Sequence, residues 1–163
     1  MPSALSFASE TEKLTYEKIA EYLSNSTLFR DTVRFSETHP RFDLTYGSAH
    51  VNVEVLPWEV HPWEERELVL VHVVSCVTFN TEMTAELMEF LLRENQRMRF
   101  GAFHLGEEGE VLFSNKILGG EEMGLLELQS SILAVVTIAD TYDDIIATKF
   151  GGQRAADKIL GVL

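Results

Sequence analysis

The stretch Leu68–Phe79 constrains the fold more than any other part of this sequence. It carries apolar residues at both odd and even positions, whereas a strand with one side in water alternates apolar and polar residues. Such a segment is typical of a central strand that is covered on both faces or meets a partner on one of them. We therefore expect it to lie in the middle of a sheet.

Two segments in front of this strand show the alternation of half-buried strands. Thr27–Phe35 is the first, and Thr45–Leu56 is the second, with Val51, Val53 and Val55 on one side. Together with the central strand, they predict three antiparallel strands in succession.

One helix is expected before these strands in the chain, and another after them. Ser9 and Glu12 have the spacing of a capping box, which predicts a first helix that runs to about Ser24. A second helix is predicted over Glu82–Arg97, capped by Thr81 or the residue before it, because acidic residues fill its first turn and arginines lie near its end.

The last part of the chain predicts a hairpin and a long helix. Phe100–Leu105 and Val111–Leu118 read as strands around a glycine-bracketed turn, and a helix follows from about Glu121 to Lys149. A short tail helix is expected over Arg154–Leu160. The order is helix, three antiparallel strands, helix, two strands and a long C-terminal helix, which is an α+β fold and not an alternating βαβ fold.

Composition predicts one globular domain that avoids anionic partners. The chain has 163 residues, of which 45% are hydrophobic and 24% charged, and we expect one domain over residues 1–163. Its net charge of −13, from 26 acidic and 13 basic residues, repels phosphate backbones and anionic lipid headgroups. We expect neither nucleic acid nor a membrane surface as a partner.

The expected location is the cytoplasm. Cys76 is the only cysteine, which excludes an intramolecular disulfide and fits a reducing compartment. The first residues lack the basic start and the apolar stretch of a signal peptide, and no run approaches the roughly 20 apolar residues of a membrane span.

Histidines near the central strand suggest one metal hypothesis. His50 and His72 lie equally far from His61, so a hairpin that turns there pairs them, with Cys76 on the same face. Two imidazoles and a thiol can hold zinc, but the spacing matches no known zinc motif, and an ordinary cross-strand pair is the simpler interpretation.

Three aspartates near the C-terminus suggest a second metal hypothesis. Asp140, Asp143 and Asp144 have i, i+3, i+4 spacing on the long helix, at which carboxylates can share a divalent ion or a proton. A solvated helix flank explains the same spacing. The sequence contains no GxGxxG, GxxxxGK[ST], GxSxG or HExxH motif, so no cofactor and no enzymatic activity are expected.

Both tryptophans lie in the turn after the second strand. Tryptophan is enriched at interface hot spots, and the prolines beside Trp58 and Trp63 lower the entropy that a loop loses on docking. The alternative is that each indole folds back over the edge of its own sheet. The candidate partner-binding residues are Trp58, Trp63, Leu68, Leu70 and Met88.

The element order and the segment Ala139–Gly152, which reads ADTYDDIIATKFGG, resemble the YbjN-like family, especially its cyanobacterial members. These proteins are similar in fold to type III secretion chaperones, which are small acidic α+β domains that often dimerise and bind extended segments of client proteins. The resemblance implies a homodimer, a protein client and no enzymatic activity.

We therefore expect a non-enzymatic protein-binding module, chaperone-like or regulatory, in which the sheet and the helix Glu82–Arg97 form an apolar surface for self-association or a client segment. Acidic flanks would favour basic clients. Two alternatives remain. One is a divalent-metal enzyme or metal-regulated protein that uses Asp140, Asp143 and Asp144, and the other is a small-molecule sensor with a pocket between the sheet and the long helix.

Overall fold

The computed structural model describes residues 5–58 and 68–157. Its elements in chain order are α1 (Glu10–Asn25), β1 (Arg34–Phe35), β2 (Arg41–Tyr46), β3 (Ala49–Pro57), β4 (Val69–Phe79), α2 (Ala85–Asn95), β5 (Ala102–Leu105), β6 (Val111–Leu118), α3 (Leu125–Phe150) and β7 (Gln153–Arg154). The α+β class and the long C-terminal helix are confirmed.

All strands of the described residues belong to one antiparallel sheet. Its order is β1-β2-β3-β4-β6-β5, and the short β7 pairs with the end of β4. The apolar stretch therefore lies in the middle of the sheet as predicted, with β3 on one side and β6 on the other.

The strand predicted over Thr27–Phe35 is wrong for most of its length. Residues 27–32 form turns, in which the N–H of Arg30 donates to the Ser26 carbonyl over 2.9 Å and that of Val33 to the Phe29 carbonyl over 2.8 Å. These turns bury Phe29 completely. A short run of apolar residues fits a strand and a helical turn equally well, so its alternation misled the prediction.

The strand predicted over Thr45–Leu56 is two strands, β2 and β3, joined by a turn at Gly47 and Ser48. Gly47 has a φ of +55°, in the left-handed region that favours glycine, and a Cβ at this position would overlap the carboxylate of Asp140. Four strands, instead of three, therefore precede α2.

Helix starts depend on which side chain makes the cap. Ser9 caps α1 as predicted, because its Oγ accepts from the Glu12 N–H over 3.1 Å. Thr84 caps α2, while the hydroxyl of Thr81 is buried against Thr78. The long helix begins at Leu125, four residues after the prediction. Of the predicted tail helix, residues 155–157 are helical and residues 158–160 lie outside the described range.

The hydrophobic core lies on one side of the sheet. Val53, Val71 and Val73 project into it from β3 and β4, and α3 packs over them through Ile132 and Val136. The same cluster includes buried residues from α1 and α2. The three helices therefore bury one face of the sheet.

The register of β3 and β4 differs from the prediction. Glu54, and not His50, lies opposite His72, so the two histidines do not pair. A shift by an even number of residues keeps every side chain on its own face, and the alternation of apolar residues cannot detect it.

Candidate functional site

The face of the sheet opposite the core, called the open face below, contributes no residue to the hydrophobic core. Its side chains on the four longest strands are half-buried or exposed. They belong to Arg41, Asp43, Thr45, His50, Asn52, Glu54, Leu56, Leu70, His72, Val74, Cys76, Leu112, Ser114, Lys116 and Leu118. Within the described ranges, α1, α2 and α3 pack on the other face, while Ala155, in the short helical turn after β7, lines a cavity with His50 and Cys76 of the open face.

Apolar side chains gather at one end of the open face. Leu56 lies opposite Leu70, and Leu70 lies opposite Leu118, so three leucines form a row across three strands. The N–H of Trp58 donates to the carbonyl of Leu68 over 2.8 Å, which extends the β3–β4 ladder by one pair. Because strand residues two apart share a side, Trp58 and Leu68 form a second row beside the leucines.

We call these five residues, Leu56, Trp58, Leu68, Leu70 and Leu118, the apolar end. Four of them are half-buried, and Leu118 is 54% exposed. The structure therefore brings together three of the residues singled out in the sequence, Trp58, Leu68 and Leu70. Sequence reasoning missed Leu56 and Leu118, although both lie at the ends of predicted strands. Pairing those strands with the central one would have found them.

The row of the open face next to the apolar end is charged or polar, with Arg41, Glu54, His72 and Lys116 opposite one another on four strands. Arg41 forms ion pairs with Asp43 at 3.1 Å and Glu54 at 3.9 Å. Burial lowers the pKa of His72, and the charges of Lys116 and His104 lower it further, so its imidazole is neutral near pH 7. The open face thus changes along its strands from leucine and tryptophan to a charged row, and then to a mixture of polar and apolar side chains.

The remaining two partner-binding candidates lie elsewhere. Met88 is on α2, where it is 39% exposed, and Leu92 one turn later is 70% exposed. Because the buried Leu87 and Leu91 turn α2 towards the core, Met88 and Leu92 form a separate apolar stripe. Trp63 lies outside the described residues.

The aspartate cluster holds two chain segments in place. Asp140 Oδ1 accepts hydrogen bonds from the Ser48 N–H over 2.8 Å and from the Ser48 hydroxyl over 2.9 Å. Asp143 Oδ2 also lies within hydrogen-bond distance of that hydroxyl. Asp144 forms an ion pair with Arg154 over 2.8 Å. The three carboxylates thus tie the β2–β3 turn and β7 to α3.

Asp143 is the buried member of this cluster, with 2% of its surface exposed. Burial raises the pKa of its carboxyl, and the hydrogen bond from Ser48 opposes that shift in part. In the described part of the chain, no group of three or more His, Cys, Asp or Glu side chains is arranged to hold a metal ion. The contacts of these aspartates are those of a structural clamp.

His50 and Cys76, the other proposed metal ligands, line a cavity of about 460 Å³ on the open face, together with Glu108 and Glu110. The Ser75 hydroxyl donates to the His50 carbonyl over 2.7 Å, which fixes the backbone there. His72 faces Glu54 and Lys116 across its two strand pairings instead. The zinc hypothesis therefore loses the histidine pair on which it was built.

Two apolar grooves lie on the helical side. The first, of about 430 Å³, separates α1 from the start of α3, where Tyr22, Met123 and Leu128 line it. The second, of about 410 Å³, runs between α3 and residues 97–100 after α2. Neither is the pocket between sheet and long helix that a small-molecule sensor predicts.

The outer edge of β5 is closed by a side chain. Asn95 accepts a hydrogen bond from the Phe103 N–H over 2.6 Å and donates one to the Phe103 carbonyl over 3.1 Å. This amide takes the place of a neighbouring strand at the centre of β5. Edge strands protected in this way resist pairing with another chain.

The antiparallel sheet, its helical layer on one side and the apolar end of its open face are features of a protein-binding module. A family model described as TY-Chap1, the T3SS (YopN, CesT) and YbjN peptide-binding chaperone 1, matches residues 27–158. The chain therefore belongs to this family of peptide-binding chaperones, and the resemblance to YbjN-like proteins and secretion chaperones is confirmed.

No curated protein matches the chain. The cyanobacterial type stays a prediction. The peptide-binding family supports a protein-binding role and gives no support to the metal-enzyme alternative. Among the described helices, none has the length and hydropathy that crossing a membrane requires.

Proposed function

We propose that this chaperone module binds an extended segment of a client protein on the apolar end of the open face. The observation that carries the proposal is the pair of adjacent rows formed by three leucines, Leu68 and Trp58 on a face over which α1, α2 and α3 do not pack. A partly exposed apolar cluster of this kind is typical of a binding surface.

The spacing of the sheet suits an extended peptide. Neighbouring strands lie about 4.8 Å apart, so the three-leucine row spans about 10 Å. A peptide in extended conformation repeats its side chains on one side about every 6.6 Å, so one that carries apolar residues at alternate positions presents them all to the leucine and tryptophan rows. Burying one such leucine contributes about 1.5–3 kcal/mol.

Binding on the face is favoured over strand addition at the β5 edge. Asn95 already satisfies the outward N–H and carbonyl of Phe103, which an added strand would need. At the opposite edge, β1 is only two residues long. The face thus offers the larger uninterrupted surface.

The test compares two peptides with the same composition, one with leucines at alternate positions and one with them scrambled. We expect the alternating peptide to bind at least about tenfold more tightly in fluorescence anisotropy. Leu118→Asp should weaken its binding by about tenfold or more, because a carboxylate would be desolvated in the leucine row. Leu70→Ala should weaken it less.

Thr45→Asp is the matched control. It places the same carboxylate on the same face, far from the apolar end, where Thr45 is exposed. We expect binding unchanged within about twofold. Equal affinities of wild type and Leu118→Asp, with both proteins folded by circular dichroism, would remove the apolar end as the binding site.

We further propose that the module acts as a homodimer, without a catalytic step, in the cytoplasm. The Met88 and Leu92 stripe on α2 supports self-association, because it is apolar and separate from the open face. The hydrogen bonds and the ion pair that occupy the carboxylates of the aspartate cluster support a binding role over chemistry. The single cysteine supports a reducing compartment.

A further inference from the structure

The groove between α3 and residues 97–100 has an apolar floor with helical periodicity. On α3 it is lined by Leu133, Ala134 and Ile138, which recur at the spacing of one helix face. Met98 and Phe100 line the opposite wall, and Phe100 is 53% exposed. The groove holds about 410 Å³, enough for several side chains of a docked segment.

The charge of this groove is opposite to that of the molecule. The chain carries a net charge of −13, yet among the described residues the groove is lined by Arg97 and Arg99 and by no acidic side chain. Arg97 is 80% exposed and its ion pair with Glu94 is long, at 3.8 Å. Arg99 is exposed and makes no ion pair within the described residues. Both guanidinium groups are thus available to a partner.

We propose that this groove binds an acidic, apolar segment of a client protein. Carboxylates of the segment pair with Arg97 and Arg99, and its apolar side chains fill the space over Leu133 and beside Phe100. The guanidinium group matches a carboxylate in bidentate geometry. The proposal rests on the peptide-binding function of the family and is independent of the apolar end of the open face.

Electrostatics makes the site selective. The acidic remainder of the surface repels an acidic segment, and the two arginines locate its favourable position at the groove. The sequence alone suggested basic clients because its overall charge is negative. The groove indicates the opposite preference for the segment that docks there.

The experiment uses two labelled peptides with identical apolar residues, one with glutamates and one with lysines between them. We expect the glutamate peptide to bind the wild-type chain at least about tenfold more tightly, with an affinity that falls as salt rises. The double variant R97E/R99E should lose this binding by about tenfold or more. Leu133→Ser should weaken it through the floor of the groove.

The control is the double variant R30E/R34E. It changes the net charge by the same amount at two exposed arginines outside the groove, on the segment before β2. Unchanged binding by this variant supports the groove as the site. An equal loss in both double variants would show an effect of net charge alone and would overturn the proposal, as would equal binding of the lysine peptide.

A second copy of the chain is the other possible occupant. If R97E/R99E lowers the mass in light scattering, the groove is an interface between copies and the proposal is overturned.

The neutral alternating peptide separates the groove proposal from the proposal that clients bind at the apolar end. If it binds with sensitivity to Leu118→Asp while the glutamate peptide does not bind, only the groove proposal is wrong. If the glutamate peptide alone binds, in a manner sensitive to R97E/R99E, the groove is supported and the apolar end is not.

Discussion

Ser48 connects two carboxylates with one hydroxyl proton. Its Oγ lies within hydrogen-bond distance of both Asp140 and Asp143, but a hydroxyl can donate to only one of them at a time. A proton on Asp143 completes the network, because the Asp143 carboxyl can then donate to Ser48 while Ser48 donates to Asp140. The raised pKa of the buried Asp143 agrees with this arrangement.

Asp143→Asn tests this network through the pH dependence of stability. Because the folded-state pKa of Asp143 is raised above 3.8, the folded protein holds this proton more tightly than the unfolded chain. The stability that it contributes falls as pH rises from about 4 through the raised pKa. An asparagine amide donates to Ser48 at every pH, so the variant should gain stability relative to wild type over that window.

The measurement is urea unfolding at a series of pH values from about 4 to about 7. A constant difference between Asp143→Asn and wild type across the whole range would contradict the proton-sharing network.

The sequence predicted this cluster only in part. Helical spacing placed Asp140, Asp143 and Asp144 together, since neighbours on a helix follow from local geometry. Ser48 lies 92 residues before Asp140, and nothing local relates the two positions. Long-range partners depend on how the β2–β3 turn meets α3, which a single sequence does not encode in any local pattern.

At the scale of elements, the strands with strong patterns and the glycine-bracketed turn between β5 and β6 were predictable, but the turn between β2 and β3 was not. The apolar stretch of β4 and the limits of β6 were predicted to within a residue. The turn at Gly47 was missed, because Gly-Ser inside an alternating run is a weak turn signal. The register of β3 and β4 was missed because even shifts preserve the faces.

Asn95→Ala tests the closed edge of β5. Losing both hydrogen bonds to Phe103 should lower the free energy of unfolding by about 1–3 kcal/mol and speed amide exchange at Phe103. Gln96→Ala, an exposed change at the next residue, should have little effect on either quantity. Similar exchange at Phe103 in the two variants would show that Asn95 does not protect this strand.

At the scale of the whole molecule, one side of the sheet is covered by helices and the other is open. The chain order and the apolar periods were enough to predict the α+β class, since each element must bury one face. They did not reveal that all three helices pack on the same side. The central strand β4, with apolar residues at odd and even positions, was compatible with a sheet covered by helices on both faces. In the structure, one face of β4 packs in the core and its other face belongs to the open face.

Leu92→Asp tests the proposed dimer. We expect light scattering to give twice the chain mass of 18.4 kDa for wild type and a single chain for the variant, because a charge on the α2 stripe opposes its burial. Leu126→Asp is the matched control. Leu126 is 75% exposed on α3, outside the proposed interface, and its variant should keep the wild-type mass. A wild-type chain that stays monomeric at high concentration would contradict the dimer.

The change from apolar to charged side chains along the open face gives this surface a direction. A bound segment finds leucine and tryptophan at one end and Arg41, Glu54 and Lys116 further along the strands. Reversing the segment would put its apolar part against charges and its polar part against leucines. Each client segment would therefore bind with the same end at the leucine and tryptophan rows, so the two directions of one sequence are not equivalent on this surface.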